Sequence, residues 1–167
     1  MKKNKLKTQL QAVLLSTIVL SASQTWADNF KEFSVDSFAQ IKEGFEGKEF
    51  LLGLWSVDCP PCLAELMFMG ELLKLNPELP YVLVSTDPIE EREFAADFLE
   101  DFQLADIESW MFADSFVERL RFSIDPGWYG ELPRSYFFDE NHNMRSHSGI
   151  VSQELLESWF IQPITFE

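Results

Sequence analysis

Two hydrophobic patterns alternate along this chain. Short apolar runs with almost no polar interruption fall at Phe50–Trp55, Tyr81–Val84 and Tyr136–Phe138. Between them lie longer segments whose apolar positions recur every three or four residues. In Ser34–Phe45 these are Val35, Phe38, Ile41 and Phe45, which suits an amphipathic helix. Pro61–Leu75 carries Leu63, Leu66, Met67, Met69, Leu72, Leu73 and Leu75 and is stopped by Asn76-Pro77 and Pro80. Glu90–Phe102 is strongly charged, with Phe94, Phe98 and Leu99 on one side.

Further along, the pattern predicts a short strand at Trp110–Ala113 and a short helix at Ser115–Phe122. Asp125-Pro126-Gly127 reads as a turn and Ser135–Phe138 as an aromatic strand. Asp139 to Asn143 is a hairpin loop, Met144–Gly149 a returning strand, and Ser152 opens a last helix. Strands that alternate with helices predict an α/β domain with parallel pairing. The closing hairpin adds antiparallel pairing, so the sheet is expected to be mixed and flanked by helices.

With 167 residues, 46% of them hydrophobic and sixteen Phe, one domain with a substantial core is the simplest organisation. The net charge of −15 argues against nucleic acid, because phosphate binding needs clustered Lys and Arg. The N-terminus departs from that balance. Lys2, Lys3, Lys5 and Lys7 precede an apolar stretch from Leu10 to Leu20, and Thr25-Trp26-Ala27 closes the segment. Residues 1–27 therefore read as a secretory signal peptide, leaving residues 28–167 as the working domain. Cleavage after Ser23 is an alternative, and so is an uncleaved anchor, although a span takes roughly 20 apolar residues. Removal of residues 1–27 takes four of the 13 basic groups and none of the 28 acids, so the charge becomes 9 − 28 = −19. The expected location is the periplasm, with no membrane span after cleavage.

Export changes the meaning of the only two cysteines, since an oxidising compartment lets a disulfide persist. Cys59-Pro60-Pro61-Cys62 follows a predicted strand and opens a predicted helix. Unpaired N–H groups and the positive dipole end at a helix N-terminus lower a thiol's pKa, and the thiolate is the reactive form. The second cysteine, one turn on, can attack a mixed disulfide formed by the first. Pro60 and Pro61 stiffen the loop at little cost, because a first-turn N–H has no helical partner. The bland alternatives are a structural disulfide, which gains little from so short a loop, and zinc, which needs two more ligands.

Gly47-Lys48, the run Phe50 to Trp55, Cys59 to Glu65, and Gly130-Glu131-Leu132-Pro133 through Asp139 occur in this order. Together they resemble exported thioredoxin-fold thiol–disulfide oxidoreductases of the TlpA/ResA type, over about Phe30 to Phe160. The resemblance implies a thioredoxin-like fold with an N-terminal extension, and Trp55 closing the strand before the cysteines. It implies Cys59 as the attacking thiol and Cys62 as the resolving thiol. Pro133 would be a cis-proline facing them, with the backbone of Leu132 free to pair with a substrate. Glu65, three residues after Cys62, would tune cysteine acidity or move protons; the alternative is a solvated first-turn carboxylate.

The chain departs from the pattern at two places. Asp58 stands where an aromatic is common, and its carboxylate opposes thiolate formation at Cys59. Arg134 stands where Thr is usual, as a partner for a thiolate or a substrate acid, or pointing to solvent. His142, Met144 and His147 lie close in sequence, and such residues can bind copper, but a loop histidine is usually only solvated. Trp110, Trp128 and Tyr129 fit the core better than a groove.

The resulting expectation is a periplasmic enzyme exchanging dithiols and disulfides with client proteins, as a reductant. It would use no organic cofactor and no metal, and be recharged by a DsbD-type membrane reductant. A copper-binding chaperone and a non-catalytic interaction module are the alternatives.

Overall fold

The computed structural model describes residues 30–160 and residue 165. The predicted signal peptide, residues 1–27, lies outside them. Among the described residues no helix is long and apolar enough to cross a membrane.

Six strands form one sheet: β1 (Phe30–Phe33), β2 (Phe50–Trp55), β3 (Tyr81–Pro88), β4 (Glu108–Phe112), β5 (Arg134–Phe138) and β6 (Met144–Ser148). Their order is β1-β4-β3-β2-β5-β6. The first four in this order pair in parallel, while β5 runs antiparallel to both β2 and β6, so the sheet is mixed. The helices are α1 (Ser37–Gly44), α2 (Pro60–Leu75), α3 (Arg92–Asp101), α4 (Val117–Ile124) and α5 (Gln153–Trp159).

The helices divide between the two faces. Leu51, Trp55, Leu83, Met111 and Phe137 point to one side and pack under α2, α3 and α5. Phe50, Leu52, Leu54, Val82, Val84, Tyr136 and Phe138 point to the other, under α1 and α4. All of β2 is buried, as a strand covered on both faces must be, which explains its unbroken apolar run.

Most elements fall where the pattern placed them, with shifts of a few residues at their ends. Two features differ. β1 was not expected from the sequence: its two middle residues, Lys31 and Glu32, are exposed, and four residues give too short a period to read. β3 runs four residues beyond the apolar run. From Ser85 to Pro88 it advances three residues while β4 advances one, so Thr86 and Asp87 form a bulge. Trp110 and Trp128 are in the core, whereas Tyr129 is 88% exposed.

Candidate functional site

Cys59 is the N-cap residue of α2, in extended backbone. Its Sγ accepts a hydrogen bond from the Cys62 N–H at 3.3 Å, and its carbonyl accepts from the N–H groups of Cys62 and Leu63. The sulfur therefore occupies the place where a helix start stabilises negative charge. Pro60 and Pro61 fill the first two helical positions, as expected, and both are exposed. Cys59 and Cys62 are joined by a disulfide, with Cα atoms 5.2 Å apart. Cys59 is partly exposed and Cys62 fully buried.

The Leu132–Pro133 peptide is cis. β2 and β5 are antiparallel with Leu54 opposite Arg134, so Pro133 lies at the sheet end where β2 gives way to the cysteine loop. The backbone of Leu132 makes no hydrogen bond among the described residues, while the Pro133 carbonyl accepts from Gly149. Trp55 is buried in the same cluster as Cys62, and among the described residues its indole N–H has no partner. Asp58 is exposed on the loop before Cys59.

Glu65 is buried at 4% exposure, so the solvated alternative does not hold. One carboxylate oxygen accepts from the Val151 N–H at 2.8 Å and the other from the Ser135 hydroxyl at 3.3 Å. Burial outweighs both bonds and pushes its pKa up from 4.5 to about 7. Tyr81 lies on the same face; burial first and the Glu65 charge second push its phenol well above the ordinary value. Its hydroxyl sits over Gly53, where a Cβ would collide with it. Ser135 is directly opposite Gly53 in the ladder, so a glycine, a tyrosine and a serine lie on the sheet face that α2 and its Glu65 cover.

A second buried carboxylate was not singled out in the sequence. Asp87, 7% exposed, accepts from the Ser56 hydroxyl at 2.6 Å, the Val57 N–H at 3.0 Å and the Ser85 hydroxyl at 2.6 Å. The Ser56 carbonyl in turn accepts from the Cys59 N–H. The bulge in β3 turns Asp87 toward the loop that presents Cys59. A carboxylate among strand-end residues carries no sequence signal of that role, because its partners on the cysteine loop, Val57 and Ser56, are 30 and 31 residues away.

Arg134 is directed elsewhere. It shares the sheet face of Tyr136, stacks over that ring at 5.1 Å and binds Asp125 at 3.2 Å and Glu131 at 3.1 Å. The cysteine helix covers the other face. The His142 ring meets the Phe45 carbonyl at 2.9 Å and the His147 ring the Ile150 carbonyl at 3.3 Å. Among the described residues no group of three or more His, Cys, Asp or Glu is arranged to hold a metal. A cleft of about 860 Å³, lined by Phe45, Lys48, Pro80, Asp139 and Arg145 among others, lies at the opposite end of the sheet from Cys59.

No protein-family model matches this chain, and neither does any curated protein. Solved structures do. A secreted Mycobacterium tuberculosis disulfide oxidoreductase homologous to Escherichia coli DsbE is 19% identical, with a TM-score of 0.56 over 70% of this chain and 82% of that one. A secreted thiol-disulfide isomerase from Corynebacterium glutamicum is 20% identical, with a TM-score of 0.56 over 71% of each chain. A thiol:disulfide interchange protein of the thioredoxin family from Chlorobium tepidum is 21% identical, with a TM-score of 0.55 over 70% of this chain and 80% of that one. The mixed sheet, the cysteine pair at the start of α2 and these neighbours agree: the chain has the thioredoxin-like fold that the sequence resemblance implied.

Proposed function

We propose that this protein is an exported thiol–disulfide oxidoreductase that reduces disulfides in client proteins. The observation that carries this reading is the asymmetry of the pair: a partly exposed Cys59 capping a helix, bonded to a buried Cys62. The neighbours named as disulfide oxidoreductase, isomerase and interchange protein support the same chemistry.

In the reduced protein the Cys59 thiolate attacks one sulfur of a client disulfide. An S–S bond to Cys59 forms, the client bond breaks, and one client sulfur leaves as thiolate. Cys62 then attacks Cys59 Sγ, the second client thiolate leaves, and the Cys59–Cys62 disulfide closes. Two electrons pass to the client. The Cys62 proton goes to Glu65, three residues on along α2, when that carboxylate is ionised. No organic cofactor takes part, because the electrons reside on the sulfur pair. Pro133 and the unpaired Leu132 backbone form the edge against which an extended client segment pairs. Asp58 moderates the helix effect on Cys59 and favours a reductant. A DsbD-type membrane reductant returns the pair to dithiol.

The test is the reduction potential of the pair, with insulin reduction as the activity. A potential near about −270 mV with insulin turnover supports the reading, and one near about −120 mV reverses its direction. Absence of exchange with any protein disulfide would sink it. In Asp58→Asn the Cys59 pKa is expected to fall; an unchanged value removes Asp58 from the scheme.

A further inference from the structure

α3 and the turn before it carry a large acidic excess, and the C-terminal end of the helix bears it against the dipole. Glu90, Glu91, Glu93, Asp97, Glu100 and Asp101 crowd twelve residues that hold one base, Arg92. Glu93, Asp97 and Asp101 repeat at four-residue spacing, which sets like charges side by side on one helix. Glu100 and Asp101 stand at the negative end of the helix dipole, and the last turn has no base. Among the described residues, none of these six acids is in an ion pair.

The same helix displays an aromatic ladder. Phe94 is 55% exposed, and Phe98 and Phe102 follow half-buried, with successive ring centroids 5.2 and 6.2 Å apart. α2 runs beside it: Gly70 backs onto the Phe102 carbonyl so closely that a Cβ would collide there. Both helices connect parallel strands on one sheet face, so they run the same way. One turn back from Gly70, α2 carries Met67, 56% exposed, and Leu63 before it. Both helices start at the sheet end that holds Cys59. An apolar strip therefore leads away from the cysteine pair, edged by unpaired carboxylates. Scattered exposed apolar residues need no explanation, but an ordered aromatic ladder opposes solubility, and the like charges at four-residue spacing and the acids of the last turn oppose helix stability.

We propose that this face of α2 and α3 is a docking strip for a client polypeptide segment that is both apolar and basic. The purpose assigned to it rests on the redox reading above; the binding itself does not. Apolar side chains of the segment cover Phe94 and Met67, and its Lys and Arg pair with Glu93, Asp97 and Asp101. That pairing relieves the repulsion within α3, so the free protein's electrostatic cost becomes selectivity in the complex. Acidic segments and anionic lipid surfaces are repelled by the same rim.

The probe is a cysteine-free amphipathic peptide of Leu and Lys, titrated into the oxidised ¹⁵N-labelled protein, with a Leu and Glu peptide of the same pattern as its counterpart. The Leu/Lys peptide is expected to move amide signals of residues 63–67 and 92–102 and to weaken at least fivefold in high salt. Phe94→Ser, at an exposed position, and the double variant Glu93→Gln/Asp97→Asn should each weaken it at least fivefold while retaining native signal dispersion. Binding elsewhere on the surface, equal binding of both peptides, or wild-type affinity in the variants would overturn the proposal. Because the probe has no sulfur, failed insulin reduction with intact binding rejects the redox reading alone.

Discussion

Glu65 and Asp87 are both buried carboxylates near the cysteines, and their surroundings give them different work. Two bonds do not offset the desolvation of Glu65, so its pKa sits at about 7. The native state therefore holds a proton between pH 4.5 and about 7 that the unfolded chain releases. The contribution of this group to stability is fully present below pH 4.5 and is lost as pH rises through about 7. At ~1.4 kcal/mol per pH unit, the loss amounts to about 3 kcal/mol. Denaturant titrations of wild type and Glu65→Gln across this range should show the variant gaining relative to wild type as pH rises. In single-turnover exchange, release of the client from Cys59 should show an inflection near pH 7 that Glu65→Gln lacks. Asp87 instead receives three strong donors and ties down the segment that leads to Cys59. Asp87→Ala strands those donors and is expected to cost about 2–4 kcal/mol in urea unfolding, with a loss of insulin reduction at temperatures where the variant remains folded.

The same dependence on neighbours governs the helices. α2 begins where it does because Cys59 caps it and two prolines fill positions whose N–H groups had no partner. Its middle is set by α3, through the contact of Gly70 with the Phe102 carbonyl. An alanine in a helix interior normally stabilises by about 1 kcal/mol relative to glycine. Gly70→Ala is expected to do the reverse, destabilising by about 1–3 kcal/mol, because the added methyl forces the two helices apart. Thermal unfolding of that variant gives the sign directly. These elements were readable from periodicity and from their stop signals. β1 and the β3 bulge were not, because a four-residue edge strand and a register shift are defined by the strand alongside rather than by local pattern.

Across the molecule, 28 acids against 13 bases impose a repulsive field, and only five ion pairs are formed among the described residues. Salt should therefore stabilise the fold. From about 0.01 M to about 1 M NaCl the screening length falls from about 30 Å to about 3 Å. The Tm is expected to rise by at least about 3 °C over this range, as a gain of about 1 kcal/mol does for a domain of this size. An unchanged or falling Tm would mean that the field is already locally compensated.

Chain order and chemistry are local properties, and the sequence carried them: alternating strands and helices, a cysteine pair at a strand-to-helix junction, a proline ahead of the last hairpin. Each depends on neighbours within a few residues. What a side chain faces depends on residues far away in the chain, and no local pattern encodes it. Tertiary packing buried Glu65 beneath Val151 and Ser135, 86 and 70 residues distant. It turned Arg134 onto the face away from the cysteines, recruited Asp87 to the cysteine loop, and left Phe94 in solvent. Burial and partnership are set when the sheet closes and its two faces are assigned, and with them the acidity and reach of every charged group around the pair.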